Sequence, residues 1–237
     1  TLVLKGVASR RITDAAGGIY SHRAPDGEWL PGGASSCGAG ALAAAFPGGD
    51  LDELTAAARA HEGTRVIAYP LIGRGERFPI RAPEAEGFVV GEPAGDGERF
   101  AALLHGLAFV ERLAFDVLDR LGAPLAGELS LSGGATANRY LNQLRADVLG
   151  RPVRVAEQGD SAFGMAILAA SPGHRLAEVA ARMVRPGEQL DPDPTRGLLL
   201  TGYAAFVEEL RRRGWLDAGD AARALARSQP APSGASG

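Results

Sequence analysis

A turn with two adjacent glycines is the segment best suited to hold a small ligand: Leu131-Ser-Gly-Gly-Ala-Thr-Ala-Asn138. Because glycine has no Cβ atom, a flat ligand can lie directly against the backbone of Gly133 and Gly134. The helix predicted to follow adds free N–H groups and the positive end of its dipole. Asn138 carries a donor and an acceptor, which suits the edge of a purine. The pattern equally supports an ordinary strand-to-helix turn in which Asn138 only caps the helix.

A second glycine-rich passage comes earlier, at Pro31-Gly-Gly-Ala-Ser-Ser-Cys-Gly-Ala-Gly40. Its Gly32–Ser36 part follows a strand-like run and precedes a helix, so it can form the opposite wall of a nucleotide cleft. A flexible linker is the interpretation that this composition favours. Cys37 lies near the same helix start, but no histidine is paired with it in the sequence. This favours a buried structural thiol over a nucleophile.

The other polar residues predict no metal site. The four histidines have no metal-ligand spacing, so no protein zinc site is expected. Arg74-Gly-Glu-Arg77 can contact phosphate, but a solvated charged loop or a structural ion pair is favoured. The glycine spacing matches neither G-x-G-x-x-G nor G-x-x-x-x-G-K-[ST], the two common phosphate-binding patterns. The histidines are His22, His61, His105 and His174.

Composition excludes several classes of protein. The 237 residues carry a net charge of −3 and are 46% apolar and 22% charged, as in a soluble globular protein. The absence of a basic run argues against nucleic-acid binding, and no apolar stretch approaches the roughly 18 residues of a membrane span. Cys37 is the only cysteine, so we expect a reducing compartment, the cytoplasm. The chain begins inside an apolar run at Thr1, and we therefore expect it to be the later part of a longer protein.

Strands and helices alternate along the chain, which predicts an α/β layered domain that positions these turns. A strand at 1–6 and a hairpin around Pro25-Asp-Gly27 come first. The helix predicted at 99–121 has apolar residues spaced by four and three, which places them on one face, and Asp96 is its expected cap. The other predicted elements are a helix from the Asp50 cap to 61, strands at 66–70, 87–91, 128–132 and 153–155, a charged loop at 74–81, helices at 138–149 and 162–170, and charged peripheral helices at 203–213 and 217–227.

Three segments together resemble the C-terminal domain of the FGGY family of carbohydrate kinases. The first combines Tyr20-Ser-His-Arg with Trp29-Leu-Pro-Gly-Gly-Ala-Ser35, and the second is Tyr69-Pro-Leu-Ile-Gly-Arg-Gly-Glu-Arg-Phe-Pro79. The third and most specific resembles the family's adenosine-binding segment. It reads Leu131-Ser-Gly-Gly-Ala-Thr-Ala-Asn-Arg-Tyr-Leu-Asn-Gln-Leu-Arg-Ala-Asp-Val-Leu-Gly-Arg-Pro152.

The resemblance implies an actin-like, ribonuclease-H-like α/β fold with a mixed sheet flanked by helices. Residues 1–228 would form the nucleotide-binding domain, with a core at 1–171 and peripheral helices at 172–228, followed by a disordered tail at 229–237. The N-terminal sugar-binding domain and the catalytic aspartate would lie outside this chain. We therefore expect the chain alone to be inactive, with no catalytic or metal-binding residue of its own.

The resemblance further implies an ATP- and Mg²⁺-dependent kinase of the ribulokinase and xylulokinase branch, acting on D-ribulose or D-xylulose. Its partners would be ATP, the sugar, the missing domain and a second copy in a possible homodimer, with no nucleic acid and no membrane. The alternative is a non-catalytic actin-like module for nucleotide binding or oligomerisation, with the long helix and the charged helices as partner surfaces. By position, the nucleotide-binding residues would be Gly133, Gly134, Ala135 and Asn138 at the adenine, Gly33 on the opposite side, Ser36 and Cys37 close by, and Thr1 as the remnant of a phosphate turn.

Overall fold

Three short strands, β1 (Leu2–Lys5), β2 (Tyr20–Arg23) and β3 (Trp29–Ser35), form an antiparallel sheet in the order β1-β3-β2. The computed structural model describes residues 1–15, 18–195 and 197–227. Successive side chains of a strand point to opposite faces of the sheet. Accordingly, Leu4 is buried in the core, whereas the neighbouring Val3 is 57% exposed.

The passage from Gly32 to Ser35 is not the flexible linker that its composition favours. It forms the second half of β3, the central strand, with Gly32 opposite Lys5 of β1. A Cβ atom on Gly32 would lie only 1.9 Å from the carbonyl oxygen of Leu4. Glycine therefore allows the two backbones to approach each other. From the sequence alone, a glycine required for close packing of strands cannot be told apart from a glycine in a ligand-binding turn.

Two short helices and a long hairpin follow. Asp50 caps the second helix as predicted, accepting hydrogen bonds from the backbone N–H groups of Asp52 and Glu53. Both strands of the hairpin are longer than predicted. The stretch expected as a charged loop lies partly within its first strand, and Glu76, the last residue of that strand, is only 3% exposed. The elements are α1 (Gly40–Ala45), α2 (Leu51–Ala58), β4 (Ile67–Glu76) and β5 (Ala82–Val90), with β4 and β5 antiparallel.

The central helix of the fold is α3 (Asp96–Arg120), in which every residue from 100 to 118 is buried. A helix buried on all sides belongs to the interior rather than to one face of the molecule. Its N-cap is Gly95, with no side-chain cap, so the prediction that Asp96 caps it is wrong. Gly122 follows the helix with a φ of +71°, which is the left-handed conformation that ends many helices.

A second small sheet positions the glycine-rich turn. Its first two strands are parallel and its third is antiparallel to the second, so it is a mixed sheet. The sequence predicted the first two strands but missed the third, as well as the short helix that precedes it. The elements are β6 (Ser130–Leu131), α4 (Arg139–Leu149), β7 (Val153–Val155), α5 (Ser161–Ala170), α6 (Leu176–Met183) and β8 (Gln189–Leu190).

Helix α7 (Gly197–Arg212) lies in the core, so the prediction of only peripheral helices after residue 172 is wrong. Tyr203, Phe206 and Leu210 are fully buried. The ring of Phe206 stacks on that of Tyr69, with 5.8 Å between the ring centroids. The charged residues of α7 are confined to its last five positions, and the largely apolar residues 197–202 lay outside the predicted helix.

The last described helix is α8 (Ala218–Arg227), which packs against α7 and α3. The disordered tail predicted at 229–237 lies outside the described residues. Within the described ranges, none of the helices combines the length and the apolar character that crossing a bilayer requires.

Candidate functional site

The turn after β6 exposes its backbone. Gly133 adopts a φ of +92°, a conformation that favours glycine, and its N–H donates to the carbonyl oxygen of Gly159 at 3.1 Å. A Cβ atom built on Gly134 meets no other atom within 4 Å. The turn is thus anchored on one side and open on the other, where a flat ligand has room to lie on the main chain.

Asn138 is the N-cap of α4, as one of the two sequence interpretations predicted. A short 3₁₀ turn at Gly134–Ala137 separates the glycines from α4, so the helix does not follow them directly. The Asn138 Oδ1 accepts a hydrogen bond from the N–H of Leu141, and its Nδ2 donates to the hydroxyl of Thr55, both at 2.9 Å. Since an amide oxygen can accept two bonds and an amide nitrogen can donate two, this side chain keeps capacity for a ligand.

Gly33 is buried inside the protein, unlike Gly134. A Cβ atom on Gly33 would lie 2.4 Å from the Phe78 ring and 2.8 Å from the carbonyl oxygen of Gly18. Packing against Phe78 therefore explains on its own why glycine stands here. The nucleotide-binding role of Gly33 stays a prediction.

Thr1, Ser36 and Cys37 lie in one neighbourhood. A Cβ atom on Gly38 would lie 2.4 Å from the Thr1 nitrogen, and β1 pairs with the end of β3. Cys37 is fully buried. Burial, and secondarily the negative charge of Glu76, raise the pKa of the Cys37 thiol to about 12. Because the reactive form of cysteine is the thiolate, this thiol is structural, in line with the sequence interpretation.

Sequence reasoning missed Glu76, whose buried carboxylate holds this neighbourhood together. It accepts hydrogen bonds from the Ser35 hydroxyl at 2.6 Å and from the Ser36 N–H at 3.0 Å. Glu76 stands in a charged stretch of the sequence, and nothing in that stretch distinguishes it from the exposed Glu86 nearby. Its burial follows from the pairing of segments that are 41 residues apart.

A second network missed in the sequence supports the glycine turn from the core. The guanidinium of Arg145 pairs with the buried carboxylate of Glu111, at 2.8 Å and 2.9 Å. It also donates to Asn142 Oδ1, and Asn142 Nδ2 donates to the carbonyl oxygen of Thr136 at 2.7 Å. A chain of charged and amide groups therefore runs from α3 through α4 to the turn.

Neither group of predicted residues forms a metal site. The part of the chain that the structure describes contains no set of three or more His, Cys, Asp or Glu side chains that could hold a metal ion. A cavity of about 630 Å³ lies between residues 77–81 and the turn that joins α7 to α8. None of the predicted nucleotide-binding residues lines that cavity.

Residues 17–172 match the FGGY family of carbohydrate kinases, C-terminal domain. The matched range is more than half of the chain and includes both β3 and the turn at Gly133. The chain belongs to the FGGY family of carbohydrate kinases. Thr1 precedes the matched residues, so its predicted role does not draw on this match.

Curated relatives of this FGGY domain carry several kinase names. A glycerol kinase from Thermococcus kodakarensis is 30% identical over 185 residues, which cover 73% of this chain and 35% of that protein. A ribulokinase from Mycolicibacterium smegmatis is 34% identical over 119 residues, which cover 47% of this chain and 21% of that protein. The FGGY domain thus spans only a minor part of the length of either relative.

Solved structures show the fold of this FGGY domain. A xylulose kinase from Lactobacillus acidophilus superposes with a TM-score of 0.78 at 18% identity, over 90% of this chain and 45% of that one. A glycerol kinase from Plasmodium falciparum, solved with ADP, gives a TM-score of 0.65 at 18% identity, over 87% of this chain and 44% of that one. The predicted actin-like α/β fold is confirmed.

Proposed function

We propose that this FGGY domain is the ATP-binding half of a sugar kinase that phosphorylates a pentulose such as D-ribulose or D-xylulose. The observation that carries the proposal is the family match over residues 17–172. The ribulokinase relative supports a pentulose. The glycerol kinase relative makes glycerol the competing substrate.

The open turn at Gly133 and Gly134 is the proposed adenine site, with Ala135 and Asn138 beside it. Its support is the room above Gly134 and the unused hydrogen-bonding capacity of Asn138. The second group consists of Thr1, Gly33, Ser36 and Cys37. Because the whole of Cys37 is buried and its N–H is bonded to the Ser35 hydroxyl, this residue would contribute by shaping the segment beside the nucleotide.

The proposed reaction is transfer of the γ-phosphoryl group of ATP to a sugar hydroxyl. An aspartate outside this chain would accept the hydroxyl proton while the oxygen attacks phosphorus, and ADP would leave. Since the described residues include no metal-ligand cluster, Mg²⁺ would enter on the phosphates of ATP, where it neutralises charge. The role of this chain is to bind and orient the nucleotide.

The single cysteine fits a cytoplasmic enzyme, because cytosolic thiols stay reduced.

The test is a larger side chain at the open glycine. In the full-length protein, Gly134→Val fills the space in which adenine would lie without meeting protein atoms. We expect its Kd for ATP, measured by calorimetry, to rise about tenfold or more, with an unchanged melting temperature. Gly127→Val is the matched control, since Gly127 is also exposed and a Cβ atom there also meets nothing within 4 Å. Equal ATP affinity in both variants would show that adenine binds elsewhere.

The non-catalytic module loses part of its support. Its partner surfaces were to be the long helix and the charged C-terminal helices. However, α3 is buried from residue 100 to residue 118 and α7 is a core helix. Helix α3 therefore offers no surface to a partner over these residues, whereas the end of α7 and much of α8 stay exposed.

A further inference from the structure

The carboxylate of Glu76 is surrounded by hydrogen-bond donors. Its Oε2 accepts bonds from the hydroxyls of Ser35 and Tyr69, at 2.6 Å and 3.2 Å, and a long contact from the Cys37 thiol at 3.6 Å. Its Oε1 accepts bonds from the backbone N–H groups of Ser36 and Arg77, at 3.0 Å and 2.9 Å. Five donors therefore face the roughly four lone-pair sites of one buried carboxylate, so none of these sites remains free.

Three of these donors belong to consecutive residues at the end of β3. The Ser35 hydroxyl, besides donating to Glu76, accepts the backbone N–H of Cys37 at 3.0 Å. The strand ends at Ser35 and α1 begins only at Gly40, so residues 36–39 lie outside regular elements. Their path is held by Glu76, by a single β-bridge between Cys37 and β4, and by the start of α1.

We propose that Glu76 is a positioning residue for nucleotide binding, which it serves by fixing the backbone of Ser36 and Cys37. This inference rests on the proposed function, in which the segment that contains these two residues lies beside ATP. Glu76 itself does not touch the nucleotide. Its carboxylate accepts the Ser35 hydroxyl and the Ser36 N–H, and the Ser35 hydroxyl accepts the Cys37 N–H, so Glu76 holds the segment in one conformation before ATP arrives.

A neutral amide cannot replace this carboxylate. The two backbone N–H groups that face Oε1 are fixed donors, so the amide oxygen of a glutamine must take that position. Its NH₂ group then faces the Ser35 and Tyr69 hydroxyls and the Cys37 thiol. These groups would have to turn away or accept instead of donating. The segment would lose its fixed path although glutamine has nearly the same shape as glutamate.

The experiment compares three variants of the full-length kinase by kcat, KM for ATP and melting temperature. Glu76→Gln is expected to raise KM for ATP about tenfold with a smaller change in kcat. Asp116→Asn removes another buried carboxylate, bonded to the Tyr203 hydroxyl at 2.7 Å and facing Arg112 and Arg227. It should lower the melting temperature but leave KM for ATP unchanged. Glu86→Gln makes the same chemical change at an exposed position of β5 and should alter nothing.

The outcomes separate the two proposals. An unchanged KM for ATP in Glu76→Gln, with a loss of melting temperature like that of Asp116→Asn, would show that Glu76 is only structural. If Glu76→Gln does not fold, Ser35→Ala replaces it, because it removes only the hydroxyl between Glu76 and Cys37. Ser35→Ala must then raise KM for ATP. An unchanged KM in that variant would show that Glu76 does not act as a positioning residue. A full-length protein that turns over no sugar with ATP overturns the proposed function as well.

Discussion

At the scale of single residues, the buried pair of Glu111 and Arg145 joins the core to the proposed adenine site. Burial raises the pKa of Glu111, and the neighbouring guanidinium opposes that shift. Removing one member of such a pair leaves the other charge buried without compensation. We expect Glu111→Gln to lower the free energy of unfolding by about 3 kcal/mol, measured by denaturant titration.

The matched control is an ion pair at the start of α4. Arg139 and Glu188 lie 2.6 Å apart, but their side chains are 65% and 48% exposed. Solvent screens such a pair, so Glu188→Gln should cost less than about 1 kcal/mol. Similar losses in the two variants would mean that the Glu111 pair contributes no more than a surface pair.

The sequence predicted the roles of some residues of the site but not those of others. The cap formed by Asn138 and the inert Cys37 follow from local sequence, because a cap acts within three residues and a lone thiol has no partner. Glu76 and Glu111 did not, since glutamate is usually solvated. Only the packing of distant strands and helices decides that these two are buried.

At the scale of elements, the sequence predicted most helices and strands but not which of them build the core. The prediction began helix α7 at residue 203, so it included the charged residues at the end of α7 but not its apolar first turns. Its burial depends on the aromatic residues of β4 and α3 that receive Phe206. The glycines of β3 were interpreted as a loop, because only the neighbouring backbone shows that a side chain would not fit at Gly32.

Helix α6, which the sequence missed, is held by a residue far away in the chain. The carboxylate of Asp26, in the turn between β2 and β3, accepts hydrogen bonds from the backbone N–H groups of Leu176 and Ala177, at 2.9 Å and 3.0 Å. These bonds lower the pKa of Asp26. A carboxyl with a lowered pKa in the folded state stabilises that state above its ordinary pKa. The contribution is lost as the pH falls through the lowered value.

We therefore expect the first amides of α6 to lose protection as the pH drops below the ordinary carboxyl value of 3.8. At neutral pH, Asp26→Asn should speed hydrogen exchange at Leu176 and Ala177 roughly fivefold and remove most of its acid dependence. The amides of α4, which Asn138 caps without a titrating group, are the internal control. Unchanged exchange at the start of α6 would show that Asp26 does not hold this helix.

At the scale of the whole molecule, the described chain corresponds to under half of the solved kinases that share its fold. Helix α5 exposes apolar side chains, with Met165 62% and Leu168 40% exposed. Exposed apolar surface of this kind is typical of an interface. Light scattering on the full-length protein would check the predicted homodimer. Turnover also has to be measured on the full-length protein, because the described chain matches less than half of the solved kinases.

The last prediction concerns catalysis by the chain alone and by the full-length protein. Because the proposed base is an aspartate outside residues 1–237, we expect the chain alone to release no ADP with D-xylulose, D-ribulose or glycerol. The full-length protein should turn over one of them at about 1–100 s⁻¹, with the highest kcat/KM for a pentulose. Turnover by the chain alone would place the base inside it. A preference for glycerol would correct the substrate and leave the kinase assignment standing, because phosphoryl transfer requires the same nucleotide site for either alcohol.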